Sequence, residues 1–595
     1  MGNRIKVLDI LPLHSSEGRE DTIECEIRTV DLGEYGLMEQ YETLSYVWGN
    51  QTSTLPIFIS AQKVDVTTSL YAIMQQIRLP DHKRTLWIDQ ICIDQMNPAE
   101  KAEQVPLMGK IYSNCTRCLV WLGTIPHEKH ISLEDAEAAF EIIRYMAAAS
   151  KASTDADINY RVPSCITTGL PSQESSLAGA MRAMSAISSA ENPWWHRVWT
   201  VQEASLPKQL LLLWGPIAIS WDTICQASAC WTGAKGKFPR AVWDFISSPS
   251  YLETTKALLI HSLWIQATCQ DKPFSLVRRW RHRIATDPRD KIYGLLGLLQ
   301  TRGSLPSVEE CRYDIPAAEV FARLTIDLII NENSLLPLMN DPRLEPEIRT
   351  EAVQSWVMDV KSLPLHDTDW YHIYGSPYYN ADKGLPPLNL EPLRLAVAEG
   401  RYDTLELKGI TVDTVKDVHP DSIIVVNSGN NAEKLRFDTL LSWYETAKQS
   451  ATREPQETFA KLLLGTLIRH VEQQPKRWVT PEDEADVLSF LDSQSVASEL
   501  RLTIFHQTRN QKFYITEGGR FGLGHLDTRP GDEVWILGGG SVPFTLRPKE
   551  RDGKKSPSSG IFEGTFVGRT YVQGIMDGEA VPGEDELSER KVLLS

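Results

Sequence analysis

Asp89 and Glu203 stand out among the carboxylates of this chain by their neighbours. Asp89 ends the apolar run Leu86-Trp87-Ile88-Asp89, and Glu203 follows Trp199 by four residues in Trp195-His196-Arg197-Val198-Trp199-Thr200-Val201-Gln202-Glu203. Another run, Tyr41-Glu42-Thr43-Leu44-Ser45-Tyr46, is followed by Trp48-Gly49-Asn50. Brought together, such hydroxyls, indoles and carboxylates make a ligand site; kept apart, the aromatics are core and Asp89 caps a turn. At about 100° per residue, Trp194, Trp195, Val198, Trp199 and Val201 share one apolar arc of a helix capped by Asn192 and limited by Pro207. Glu203 falls at the border of that arc, where a carboxylate is expected to be partly desolvated against an indole.

Other chemistries are poorly signalled. There is no phosphate-binding Gly-x-x-x-x-Gly-Lys-Ser/Thr loop and no Ser-centred nucleophile elbow. His127-Glu128-Lys129-His130 is one residue short of placing its histidines one helical turn apart, and Cys115-x-x-Cys118 lacks a second pair, so no metal is expected. Gly519-Arg520-Phe521-Gly522-Leu523-Gly524 lies among strand signals and reads as a turn.

The elements that must position the candidates alternate. Strands are predicted at Arg4–Ile10, Thr22–Val30, Tyr41–Tyr46, Arg84–Asp89, Cys118–Gly123 and Leu210–Trp214. Helices are predicted at Thr68–Arg78, after the Asn97 cap and at Leu133–Ala149, with Pro106 kinking or dividing the second. Such alternation argues for a parallel sheet covered by helices on both faces. Ligands of these sheets bind beyond the carboxyl ends of the strands, which is where Ser45, Tyr46, Trp48, Gly49 and Asp89 fall. Residues 150–190, rich in Ser, Ala and Thr, read as a surface insertion. The expected division is 1–225 for this α/β region, 226–400 for a mainly helical region with Pro-rich breaks, and 401–595 for a mixed region ending in β structure. The last hundred residues carry strand signals at Lys512–Thr516, Glu533–Leu537 and Phe544–Arg547.

At 595 residues the chain exceeds one hydrophobic core. A net charge of −17 repels phosphate backbones and anionic membranes, so a nucleic-acid binder is not expected. The apolar stretch Leu210–Ile219 is broken by Gly215-Pro216 and too short to span a bilayer, and the start lacks the apolar run of a signal peptide. Nine scattered cysteines fit a reduced compartment. A soluble cytoplasmic protein is the expectation.

Three blocks carry a family resemblance. Tyr41-Glu42-Thr43-Leu44-Ser45-Tyr46-Val47-Trp48-Gly49, then Leu86-Trp87-Ile88-Asp89-Gln90-Ile91-Cys92-Ile93-Asp94-Gln95, then Arg197-Val198-Trp199-Thr200-Val201-Gln202-Glu203 closely resemble the signature blocks of the fungal heterokaryon-incompatibility (HET) domain, over about residues 38–205. Pro106 departs from the family's usual polar residue there. Ala285–Leu298, Glu517–Gly524 and Thr570–Glu579 resemble segments of long fungal members. The resemblance implies a role in nonself recognition, a form of innate immunity that ends in programmed cell death, with an incompatibility partner protein not identifiable from the sequence. HET domains in turn resemble TIR domains, some of which destroy NAD with a glutamate a few residues after a tryptophan. That likeness implies a TIR-like parallel sheet, Glu203 as catalytic residue, and Tyr46, Trp48, Gly49, Asp89 and Trp199 as contacts to NAD, a substrate and not a cofactor. It equally allows a non-catalytic adaptor that signals by self-association as a homo-oligomer.

Overall fold

The computed structural model describes residues 3–12, 22–33, 40–152, 157–167, 171–232, 265, 268, 271–301, 303, 305–339, 353–358, 360, 379–423, 430–465, 467–468, 477–493, 498–549 and 560–595. The chain forms two compact units, Met1–Ser304 with Val308–Asp314, and Leu305–Ser307 with Ile315–Ser595.

The first unit is built on nine strands: β1 (Arg4–Ile10), β2 (Glu24–Asp31), β3 (Glu42–Ser45), β4 (Thr54–Ile59), β5 (Gln62–Thr67), β6 (Arg84–Trp87), β7 (Cys118–Trp121), β8 (Leu210–Trp214) and β9 (Ile217–Ser220). Their order is β5-β4-β2-β1-β6-β3-β7-β8-β9. The expected parallel sheet is its centre: β6, β3, β7 and β8 run parallel, with Thr43 opposite both Trp87 and Cys118. Counted among these four, the spatial order is second, first, third, fourth, the flavodoxin-like arrangement. Its switch point lies between the carboxyl ends of β3 and β7, where Ser45 faces Val120. Antiparallel pairs β1–β2, β1–β6, β4–β5 and β8–β9 widen the sheet beyond expectation.

Helices pack where their apolar stripes direct. In α1 (Thr68–Ile77) the expected residues Leu70, Ile73, Met74 and Ile77 are buried, packed with Leu8, Leu44, Tyr46, Leu86, Ile88 and Leu119 of the sheet. After α2 (Asp89–Cys92), Pro106 divides the next helix as expected, into α3 (Pro98–Gln104), a 3-10 turn and α4 (Met108–Asn114). A capping box of Ser132 and Asp135 starts α5 (Leu133–Lys151). The supposed surface insertion at 150–190 instead contains α6 (Ser164–Thr167) and α7 (Pro171–Ile187), and α7 packs on α5 with Ala180, Met181, Ala183 and Met184 buried. Small alanines looked like loop composition, yet they let a helix approach closely. Residues 153–156 and 168–170 of that stretch lie outside the described ones.

The helix expected from Asn192 to Pro207 is two pieces. A 3-10 turn spans Pro193–His196, the chain extends at Arg197, and α8 (Thr200–Ser205) follows. The break has a tertiary cause: the N–H of Val198 donates to the carbonyl of Ile284 (3.0 Å), so a passing segment, bridged at Arg197, occupies the donor that a helix needs. The single arc drawn through Trp194 and Val201 therefore does not exist. In α8, residues 200–204 are all buried, Glu203 among them.

The helical middle runs across both units, with helices such as Ala317–Glu332 and Glu391–Glu399 in the second; its residues 233–264, 340–352 and 361–378 lie outside the described ones. The β-rich end holds β10 (Leu405–Ile423), the small pair β11 (Leu467–Ile468) and β12 (Arg477–Trp478), β13 (Gln511–Thr516), β14 (Phe521–Gly524), β15 (Glu533–Leu537), β16 (Phe544–Pro548), β17 (Ile561–Arg569), β18 (Tyr571–Val572) and β19 (Arg590–Leu594). Long β10 pairs with β19, then β15, then β13, so that β10, β15, β16, β17 and β19 close a ring. It changes partner at Gly409, where a Cβ would lie 2.3 Å from the carbonyl oxygen of Ile536.

Candidate functional site

Ser45 ends β3, and Asp89 follows β6 by two residues, so both sit at carboxyl ends of neighbouring parallel strands. Each anchors a hydrogen-bonded group. Asp89 accepts from the indole N–H of Trp48 (2.9 Å) through Oδ2 and from the backbone N–H of Gln90 (2.8 Å) through Oδ1. The Tyr46 hydroxyl donates to Oε1 of Gln90 at 2.7 Å, and Gln95 donates to the Asp89 carbonyl at 2.9 Å. Asp89 thus opens α2 without capping it, Ile88 being the residue at the cap, and its carboxylate holds Trp48.

The second group is a relay. The indole N–H of Trp194 donates to Ser45 Oγ at 2.8 Å, and the Ser45 hydroxyl donates to Oε2 of Glu203. Asn192 fixes the start of this segment: its side-chain oxygen accepts from Trp194 N (3.0 Å) while its amide donates to the Leu122 carbonyl just after β7 (2.7 Å). Arg197 donates to the Tyr46 carbonyl, tying the segment to the end of β3.

Electrostatics join the two groups. Glu203 is 4 % exposed, and burial pushes its carboxyl from an ordinary 4.5 up to about 7. Arg197 and the Ser45 hydroxyl pull it down, and Asp89 pushes it further up. Burial also raises Asp89, against the pull of Arg197 and Trp48. Tyr46 is raised by burial and by the fields of Asp89 and Glu203. One guanidinium therefore serves two carboxyls, and burial outweighs what it compensates. A group titrating near 7 exchanges protons at neutral pH with little driving force either way, as a general acid or base must.

Of the residues singled out in the sequence, Ser45, Tyr46, Trp48, Asp89 and Glu203 gather here. Gly49 is exposed in the turn beyond, at φ +72°, a left-handed conformation that suits glycine. Trp199 turns elsewhere: its indole donates to Asp290 (3.2 Å), which also accepts from Tyr313 (2.7 Å). Trp194, Arg197 and Gln90 complete the cluster. No local signal marks Trp194 as the donor to Ser45, 149 residues away.

Support comes from behind α8. Gln202 Oε1 accepts from the N–H of Gly297 (3.3 Å), and a Cβ on Gly297 would lie 2.5 Å from the Cα of Gly109 in α4. Two glycines thus let the 285–298 segment press close behind the helix carrying Glu203. Among the described residues no helix is long and apolar enough to cross a membrane.

Residues 41–203 match the family model "Heterokaryon incompatibility protein (HET)", and residues 479–589 match the "Het-6 beta-barrel domain". Heterokaryon incompatibility protein 6, OR allele, of Neurospora crassa is 23% identical over an alignment covering 96% of this chain and 94% of that protein. No solved structure matches the chain. The resemblance carried by the three sequence blocks is borne out: all three fall within or at the edge of the matched HET segment, and a Het-6 barrel match follows toward the end of the chain.

Proposed function

We propose that the HET domain of this heterokaryon-incompatibility protein hydrolyses NAD at the nicotinamide–ribose bond, with Glu203 as the catalytic carboxylate, and that loss of NAD ends in cell death. The observation carrying this reading is the convergence of Glu203 with Ser45, Tyr46 and Asp89 at a strand-order switch point, its carboxyl pushed up to about 7. In such a reaction the C1′–N bond breaks, its electron pair neutralises the pyridinium nitrogen, and an oxocarbenium-like ribose develops. Water adds at C1′ and loses a proton. The products are nicotinamide, ADP-ribose and that proton. Ionised Glu203 stabilises the cation and receives the proton from water. Tyr46, Trp48 and Asp89 line the approach, and Trp48 supplies a flat face for a base. Trp199, tied to Asp290, serves as a support of α8.

A structural reading has its own observation: Glu203 is almost wholly buried and already accepts from Ser45. In that case the domain is a TIR-like adaptor signalling by self-association with an incompatibility partner. Two measurements separate them. Purified full-length protein, tested as assembled oligomer, is expected to release nicotinamide from NAD, and Glu203→Ala to abolish release; equal rates sink the enzymatic reading. In the fungus, Glu203→Gln is expected to end toxicity, whereas an adaptor would keep it.

A further inference from the structure

Arg283 lies in the segment that breaks the helix before Glu203: the N–H of the next residue, Ile284, donates to the His196 carbonyl (2.5 Å). Its side chain is fully buried, and among the described residues no acceptor reaches Nε, Nη1 or Nη2. The guanidinium stacks over the Trp280 ring, 4.7 Å from its centroid, and its field depresses the neighbouring His196, which burial already lowers. The Trp280 indole N–H is spent on Thr268 (3.0 Å), so it offers the cation a face and no acceptor. Arginine elsewhere in this unit is served: Arg78 donates to three carbonyls, and Arg279 forms a two-pronged pair with Asp271.

An isolated buried charge is among the most costly features a fold can keep, and five N–H donors in a rigid fork match a phosphate or carboxylate. Arg283 is kept here against an aromatic wall and beside a histidine, with no hydrogen-bonded counter-charge among the described residues. We infer that Arg283 is an anion-binding site for a phosphate-class oxyanion, with Trp280 as its wall and His196 at its side. This site is distinct from the Glu203 relay and does not depend on NAD being cleaved. The same oxyanion chemistry is offered by free phosphate and by the pyrophosphate of a dinucleotide.

The test is thermal unfolding of the full chain in phosphate-free buffer, with and without inorganic phosphate or ADP-ribose. Wild type is expected to gain Tm with either anion, and Arg283→Met to lose that gain. Because removing an uncompensated buried charge relieves the fold, Arg283→Met is also expected to melt above wild type when no anion is present. Stabilisation by inorganic phosphate assigns a simple anion site; stabilisation by ADP-ribose alone assigns a dinucleotide one. A wild type indifferent to both anions, or an Arg283→Met variant that keeps the response or melts lower without anion, overturns the proposal. Glu203→Gln is expected to keep the anion response, so failure of the NAD reading leaves this test standing.

Discussion

Burial displaces the carboxyl of one residue, Glu203, from 4.5 to about 7. The folded protein keeps a proton on Glu203 between those values, while the unfolded chain has released it. Stability therefore falls as pH rises through that window and levels above about 7, by about 3 kcal/mol for this group. Urea unfolding across the window is expected to show that slope in wild type and a shallower one in Glu203→Gln, the difference isolating Glu203 from Asp89 and Asp290, which shift the same way. The Ser45 hydroxyl lowers the Glu203 value, so Ser45→Ala is expected to move the midpoint above 7, read by carboxyl titration in an NMR spectrum. The sequence placed Ser45, Asp89 and Glu203 at strand ends and beside an indole. It could not say that Trp194 and not Trp199 serves the relay, because that choice follows from a backbone break imposed by Ile284.

At the scale of the element, local chemistry was legible and long-range chemistry was not. Pro106 dividing a helix, the Asn97 cap and the α1 stripe depend on near neighbours and can be read directly. The β4–β5 hairpin escaped because Pro56 argues against a strand and its turn, Ser60-Ala61, holds two positive φ angles (49° and 66°) without the usual Asn or Gly. The close pass of Gly109 and Gly297 is likewise invisible, since nothing in either segment names the other. Gly297→Ala is expected to push α4 away and to destabilise the protein by roughly 1–3 kcal/mol, with a slackened hold on α8. Chemical denaturation measures the first effect, and an altered Glu203 titration the second.

At the scale of the molecule, two units carry two family domains, and the barrel is larger than its matched segment. Residues 479–589 omit β10 and β19, yet both belong to the closed ring, so closure joins strands nearly two hundred residues apart in the chain. Deleting residues 590–595 removes β19 from between β10 and β17 and is expected to expose β15–β17 to limited proteolysis at rates well above those of the intact chain. In the proposed function, Glu203 of the HET unit is the residue that separates an enzyme from an adaptor. The most direct measurement is nicotinamide release by full-length protein from about pH 5 to 9, wild type against Glu203→Gln. The expected result is a wild-type profile with a limb centred near 7, and a loss on the order of a hundredfold or more in the glutamine variant. A glutamine variant that matches wild type at every pH contradicts the account.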